Sequence, residues 1–291
     1  MKRNLLFGIL PVIMFSSCVE MSTVLELGSL TDSSDVVFTA TTEIKPTTRT
    51  ALSGNINTDG CYSLYWASGD EICISDGEKS AIYATDGDYS STAEFSHKSG
   101  TVSGNAAEYT AFYPSKITVS NMVLPSTQNY VKNNVEYFPM YAKSDNKELA
   151  FKNLCGIIRL CIKAGENEEV NIASISLSSN KGMSGAFTIG DDNEAVVDGA
   201  DGVVLNCMEP CSLYTSVTTD FNVIVPQGNY NPLKIKIRNA DGKEINFESE
   251  DAITVMRSKI TRINLTIFKS SFNTSLETIP ITDSDVEFTE R

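Results

Sequence analysis

The sequence predicts an all-β protein built of two antiparallel β-sandwich domains. Short segments alternate apolar and polar residues, as half-buried strands do. Almost no segment repeats its apolar residues with the 3.6-residue period of a helix. Gly, Asn, Asp and Ser recur about every 8–12 residues, which is the turn spacing of sandwiches. The roughly 250 residues that carry this pattern suit two domains better than one.

The first predicted strand covers residues 36–44. Its apolar residues share one parity, while Thr and Glu occupy most of the other. Nine residues of extended chain span about 30 Å, so the segment is long enough to be a complete strand of the first sandwich.

The later strands are predicted by the same patterns. Residues 157–162 are almost continuously apolar, which indicates a strand buried on both faces. Residues 221–225 and 263–267 alternate. Residues 233–237 also alternate, and a turn at 239–242 returns the chain into 244–247 as a hairpin.

The domain prediction places an N-terminal sandwich at residues 36–147 and a C-terminal sandwich at 148–269. The polar stretch 142–148 separates them, and Phe151 is expected to open the second sandwich. Residues 270–291 form a separate tail, predicted either to be disordered or to add one or two strands. No internal repeat is predicted.

Composition excludes several classes of function. With 23 basic and 37 acidic residues the net charge is −14, and no basic run exists to bind nucleic acid. The single histidine, His97, lies in a polar stretch expected to be a surface loop, and one histidine cannot build a His-rich metal site. No carboxylate pair is marked out, and the acidic turns at 191–194 and 198–202 lack calcium-loop spacing. We therefore expect no enzyme activity, no cofactor and no metal.

The N-terminus has the form of an export signal. A basic start precedes an apolar run, residues 5–15, that is too short to span a membrane. Small residues then precede Cys18, as in the lipobox of bacterial lipoproteins, so residues 1–17 are a predicted lipoprotein signal peptide and Cys18 a lipid (palmitate) acceptor. Removal of Lys2 and Arg3 takes the net charge from −14 to −16. An ordinary signal peptide with an incidental cysteine is the alternative.

Six cysteines remain after Cys18, and export permits disulfides among them. Small buried side chains are an equally good interpretation. The six residues are Cys61, Cys73, Cys155, Cys161, Cys207 and Cys211.

An ordered set of motifs resembles the fimbrillin family, the type V pilins and related lipoproteins of Gram-negative anaerobes. The resemblance runs from about residue 36 to 268. Its motifs are TRTAL at 48–52, LYWASGDEI at 64–72, YTAFYP at 109–114, FKNLCGIIRL at 151–160, ISL at 175–177 and MSGAF at 183–187.

This resemblance implies transthyretin-like sandwiches and an outer-membrane lipoprotein at the cell surface or in a fimbrium. In polymerising members a protease cleaves after an arginine and removes the first strand, and a strand of another subunit fills the groove. Arg49 and Thr50 match that cleavage site, which makes residues 18–49 a leader; a plain surface arginine is the alternative. The candidate donor-strand residues are Leu276, Ile279, Ile281, Val286 and Phe288.

The implied function is a structural or adhesive fimbrial subunit of the stalk, the tip or the anchor. Its expected partners are other fimbrial subunits, the outer membrane through the lipid, and a host or bacterial surface receptor. The main alternative is a lipid-anchored glycan-binding sandwich protein that does not polymerise. Exposed tyrosines and acids on one face would favour that alternative.

Overall fold

The computed structural model describes residues 36–43, 64–166, 168–199, 201–273, 278–282 and 285–288. Within these ranges the chain is almost entirely β. One short 3₁₀ helix, Lys269–Asn273, is present, and no described helix is long and apolar enough to cross a bilayer.

The strands follow one another along the whole described chain. Those of the first part are β1 (Val37–Thr41), β2 (Glu71–Ser75), β3 (Ser80–Ala84), β4 (Thr92–Gly100), β5 (Tyr109–Tyr113), β6 (Val123–Leu124), β7 (Thr127–Val131), β8 (Asn134–Val135), β9 (Met140–Ser144), β10 (Glu148–Ala150) and β11 (Lys152–Asn153). Those of the second part are β12 (Gly156–Ala164), β13 (Val170–Ser178), β14 (Gly185–Ile189), β15 (Ala195–Val197), β16 (Val203–Leu213), β17 (Thr219–Val225), β18 (Gly228–Tyr230), β19 (Lys234–Asn239), β20 (Glu244–Ser249), β21 (Ile253–Val255), β22 (Ile260–Ile267), β23 (Thr278–Ile281) and β24 (Val286–Phe288).

An eight-stranded sheet, in the order β10-β1-β4-β3-β2-β5-β9-β11, builds the first hydrophobic core. Trp66 is 1% exposed in this core. The turn after it is made at Gly69, whose φ of +89° is a conformation that suits glycine. Strand β5 ends at Tyr113 before Pro114, because a proline cannot donate to the ladder.

A four-stranded sheet, β17-β12-β22-β24, and a seven-stranded sheet, β23-β20-β19-β13-β16-β7-β8, contribute side chains to a second core. This confirms the buried strand at 157–162, the alternating strands at 233–237 and 263–267, and the hairpin of β19 with β20. Residues 221–225 also form a strand, but all five are buried, so the alternation predicted for them is wrong. Two smaller sheets, β15-β14-β6 and β18-β21, complete the described strands. The fold is all-β, as predicted, although the pairs β1/β10, β12/β22, β16/β7 and β20/β23 are parallel.

Two detailed expectations are wrong. Phe151 belongs to the first core, where its ring meets Trp66 edge-on at 5.3 Å, because β10 and β11 still pair in the first sheet. His97 lies in β4 and not in a loop; its ring packs edge-on against Tyr83. The solvent-facing end of β4 is polar on both faces, so it lacks the alternation that identifies a strand. The division at 147/148 stays a prediction.

The five described cysteines of the set are not joined to one another by disulfides. Cys73, Cys155 and Cys161 are buried, whereas Cys207 and Cys211 are half-buried. Burial raises the pKa of the Cys207 thiol to about 12, with the neighbouring Cys211 adding to the shift. Cys61 lies outside the described residues.

Candidate functional site

The first strand, β1, lies inside the first sheet and not at its edge. It pairs antiparallel with β4, so that Phe38 is opposite Phe95 and Ala40 is opposite Ala93, and it pairs parallel with β10. We call the space that it occupies between β4 and β10 the β1 slot. A sheet that lost β1 would therefore expose two edges of unpaired backbone groups.

Backbone hydrogen bonds on the β10 side define what the β1 slot requires of a strand. The N–H of Thr39 donates to the carbonyl of Lys147 at 2.9 Å, and the carbonyl of Thr41 accepts from the N–H of Phe151 at 2.8 Å. An occupant of the slot thus needs an N–H at the position of Thr39, which a proline lacks.

The inward face of β1 is apolar and fully packed. Phe38 and Ala40 have no solvent exposure, and Val36 just before the strand is 2% exposed. The ring of Phe38 meets Tyr83 and Tyr109 edge-on, each at 4.9 Å between ring centroids. Burial of a side chain of this size contributes about 1.5–3 kcal/mol, so Phe38 is the main apolar anchor of the strand.

The indole of Trp66 ties the core to β1. Its Nε1–H donates to the carbonyl of Ala40 at 3.0 Å in a buried setting. Nearby, the Thr42 hydroxyl donates to the carbonyl of Leu64 at 3.0 Å. Departure of β1 would leave the indole N–H without this acceptor, and a buried orphaned donor costs about 1–3 kcal/mol.

Glu43, just beyond β1, joins the strand to the second part of the chain. Its carboxylate accepts from Arg257 Nη1 at 2.5 Å, from the Asn153 backbone N–H at 3.0 Å and from the Ser258 hydroxyl at 3.1 Å. Lys152 Nζ lies 4.0 Å away. Burial disfavours the charged carboxylate, but the hydrogen bonds and the charge of Arg257 outweigh it and lower the pKa of Glu43.

The tail forms two short strands on the second part of the chain. β23 pairs parallel with β20, and β24 pairs antiparallel with β22, so the tail contacts both sheets at their edges. Between these strands the Thr282 hydroxyl donates to Asp285 Oδ2 at 3.0 Å. Of the two predicted alternatives for the tail, additional strands are the one observed.

The tail is packed less tightly than β1. Ile281 is buried, but Ile279 and Val286 are only half-buried. A cavity of about 410 Å³ lies beside the tail, lined by Ile279 and Pro280 and, on the body of the chain, by Leu265. The tail strands therefore cover the second core without filling it.

A six-residue segment of the tail repeats the residues that lead into β1 and form its first half, which corrects the prediction of no internal repeat. Residues 34–39 read SDVVFT, and residues 284–289 read SDVEFT, so five of the six residues are identical. The one difference, Val37 against Glu287, falls at a position that is 43% exposed in β1. The inward residues Val36 and Phe38 have identical counterparts.

The predicted site residues have different outcomes. Cys18, Arg49, Thr50 and Leu276 lie outside the described residues, so their roles stay predictions. Ile279, Ile281, Val286 and Phe288 lie in the tail strands. Glu43 and Arg257 were not predicted, because nothing in the sequence signals an ion pair over 214 positions. In the described ranges no group of His, Cys, Asp and Glu is arranged to hold a metal.

Comparison with known proteins gives structural neighbours of low identity. A candidate cell adhesion protein of Bacteroides ovatus aligns with a TM-score of 0.49 and 14% identity, over 78% of this chain and 91% of its own. A second candidate cell adhesion protein, from Bacteroides uniformis, aligns with a TM-score of 0.47 and 16% identity, over 81% of this chain and 93% of its own. The tip fimbrial protein Mfa3 of Porphyromonas gingivalis aligns with a TM-score of 0.34 and 8% identity, over 80% of this chain and 95% of its own. No family model and no curated protein sequence matches the chain.

Proposed function

We propose that this chain is a structural or adhesive subunit of a surface fimbria, exported as a lipoprotein and assembled by strand exchange. In this proposal a protease removes β1, and the tail of a second copy fills the β1 slot. The observation that carries the proposal is the repeat of SDVxFT at residues 34–39, which run into β1, and at residues 284–289 of the tail. A chain that repeats the entry and first half of β1 in its tail offers both a slot and a segment that matches the first part of it.

The match specifies a register for the exchange. Val286 takes the position of Val36, and Phe288 takes the position of Phe38 between the rings of Tyr83 and Tyr109. Glu287 then replaces the outward Val37, where a charge meets solvent. Thr289 takes the position of Thr39 and has the N–H that the carbonyl of Lys147 requires.

Burial provides a driving force for this exchange. Val286 is half-buried in its own chain, whereas the equivalent Val36 is 2% exposed in the β1 slot. Main-chain hydrogen bonds to β4 and β10 add attachment that the short pairing of β24 with β22 lacks. Backbone pairing on two sides instead of one favours the intermolecular position.

Other parts of the tail fit the slot less well. If Ile279 and Ile281 took the inward positions of Phe38 and Ala40, Pro280 would stand at the position of Thr39 and could not donate to the carbonyl of Lys147. The SDVxFT match also ends before Glu290, which would face the buried position of Ala40. The proposal therefore assigns residues 284–289 to the part of the slot that residues 34–39 fill. It assigns no tail residue to the position of Ala40.

Export and processing complete the proposal. Cys18 carries the lipid that takes the chain to the outer membrane, and cleavage between Arg49 and Thr50 frees β1. After cleavage, β1 is held only by noncovalent contacts, chiefly Phe38, the indole of Trp66 and the ion pair of Glu43.

N-terminal sequencing of the protein recovered from the cell surface tests the processing step. A polymerised subunit is expected to start at Thr50, and Arg49→Ala is expected to leave monomer that starts at Cys18. Arg238→Ala, at an exposed position in β19, is the control and should be processed normally. Polymers of normal length made by the Arg49→Ala chain would contradict the proposal.

A further inference from the structure

A cleft in the first part of the chain carries aromatic side chains and acids on one surface. Its volume is about 220 Å³, below the roughly 300–1,000 Å³ of sites for drug-sized ligands, so it suits one ring and not a long chain. Among the described residues that line it there is no lysine or arginine. The aromatic lining residues are Tyr65, Trp66, Tyr89, Tyr113, Tyr137 and Phe138.

Tyr89 is held at the cleft in an unusual conformation. Its φ is +40°, which is rare for a bulky residue and costs of order 1–3 kcal/mol. The next residue, Ser90, is fixed by two backbone hydrogen bonds with Trp66, at 2.8 and 3.2 Å. Despite this anchoring the Tyr89 side chain is 62% exposed. An exposed ring kept in a costly backbone conformation beside a cleft indicates a role in binding.

Two acidic residues, Asp70 and Glu136, line the cleft. Asp70 accepts from the Tyr113 hydroxyl at 2.9 Å and from the Ala67 N–H at 2.8 Å, which holds it in one orientation. Glu136 accepts from the side chain and backbone of Asn129 at 3.1 and 3.2 Å. Each carboxylate is thus oriented by the protein and keeps further lone pairs for a ligand.

We propose that this cleft binds a single sugar residue, one end or branch of a surface glycan. The C–H face of a pyranose is apolar and packs on a tyrosine ring, while its hydroxyls donate to carboxylates at the rim. An organic cation would also pack on aromatic rings. However, Asp70 and Glu136 already accept hydrogen bonds from the protein, so neutral hydroxyl donors suit their remaining lone pairs better.

This site deepens the adhesive part of the proposed function by naming its ligand class, but it does not depend on strand exchange. Arg49→Ala should block processing and leave sugar binding intact. Loss of the Tyr89 ring should leave polymerisation intact. The two proposals can therefore fail separately.

The test is a glycan array probed with the full exported chain, followed by calorimetry with the monosaccharide that binds best. Tyr89→Gly removes the ring and keeps a residue that accepts positive φ, and it should weaken binding about tenfold or more. Glu136→Gln should weaken binding by a smaller factor. Tyr214→Ala is the matched control, because Tyr214 is 52% exposed and does not line the cleft.

Thermal melts of the three variants establish that each is folded before binding is compared. Sugar binding that falls in Tyr89→Gly and stays within about twofold in Tyr214→Ala supports the assignment. The assignment is overturned by the absence of sugar binding at millimolar concentration, by equal binding of all variants, or by tighter binding of choline than of any sugar.

Discussion

The indole N–H of Trp66 donates to the carbonyl of Ala40, so the only tryptophan of the chain is bonded to the strand proposed to leave. Trp66 is 1% exposed and packs edge-on against Phe95 and Phe151. These contacts make tryptophan fluorescence a direct probe of the β1 slot, because no second indole contributes to the emission.

We predict that a chain starting at Thr50 has a red-shifted emission and stronger iodide quenching than the chain with β1, because its indole loses the Ala40 carbonyl and the cover of β1. A synthetic peptide of residues 34–43 should restore the blue-shifted spectrum. A scrambled peptide of the same composition is the control. Identical spectra with and without β1 would contradict this role for Trp66.

The ion pair of Glu43 with Arg257 should make stability depend on pH. The pKa of Glu43 is lowered on folding, so its stabilisation is present above the unfolded pKa near 4.5 and is lost as the pH falls through the lower folded value. Glu43→Gln should destabilise the chain by about 1–3 kcal/mol at pH 7 and flatten the loss of stability below pH 4.5.

Urea unfolding between pH 3 and 7 measures this dependence. Glu248→Gln is the matched control, because Glu248 pairs with Lys234 at 3.8 Å on an exposed surface and should change stability by less than about 1 kcal/mol. If the free energy of unfolding depended on pH in the same way in wild type and Glu43→Gln, the ion pair would not contribute to the pH dependence of stability.

The predicted strands that the structure confirms are those whose sequence pattern matches the burial of their side chains. In β19 the burial alternates residue by residue from Lys234 to Asn239, as its apolar and polar residues do. β12 is buried on both faces, and its sequence is almost continuously apolar. His97 was misassigned because the solvent-facing end of β4 is polar throughout. Phe151 was misassigned because its sequence position cannot indicate which of two cores receives it.

Only those parts of the candidate site that are single strand segments could be predicted from the sequence. The apolar parity of β1 is a local pattern, and it predicted that strand, whereas the donor role of the tail was implied only by the resemblance. The Glu43–Arg257 pair depends on a fold that brings distant positions together, so no local pattern could report it. The cleft beside Tyr89 likewise collects residues from four separate stretches of chain.

The register proposed for the tail predicts which of its residues matter. A peptide of residues 284–291 should bind the chain that starts at Thr50, and Phe288→Asp should abolish binding because a charge would enter the pocket between Tyr83 and Tyr109. Glu287→Val, which copies β1, should bind equally well or better. Calorimetry measures all three peptides, and binding of the Phe288→Asp peptide would refute the register.

Gln128 protects the free edge of β17. Its amide nitrogen donates to the carbonyl of Ile224 at 2.7 Å, and its oxygen accepts from the N–H of Ile224 at 3.0 Å, so one side chain occupies both backbone groups as a neighbouring strand would. β17 is the first strand of its sheet and would otherwise present these groups unpaired. A subunit that assembles through one slot benefits when its other edges are closed.

Gln128→Met keeps the length of the side chain but leaves both groups of Ile224 orphaned. We expect a loss of about 1–3 kcal/mol for each orphaned group and the appearance of dimers through edge pairing at β17. Urea unfolding and sedimentation velocity measure the two effects, and Thr127→Ala, at the adjacent exposed position, is the control. Because the new contact does not use the β1 slot, these dimers should form equally with and without the tail. Dimers that required residues 284–289 would instead assign the contact to the slot.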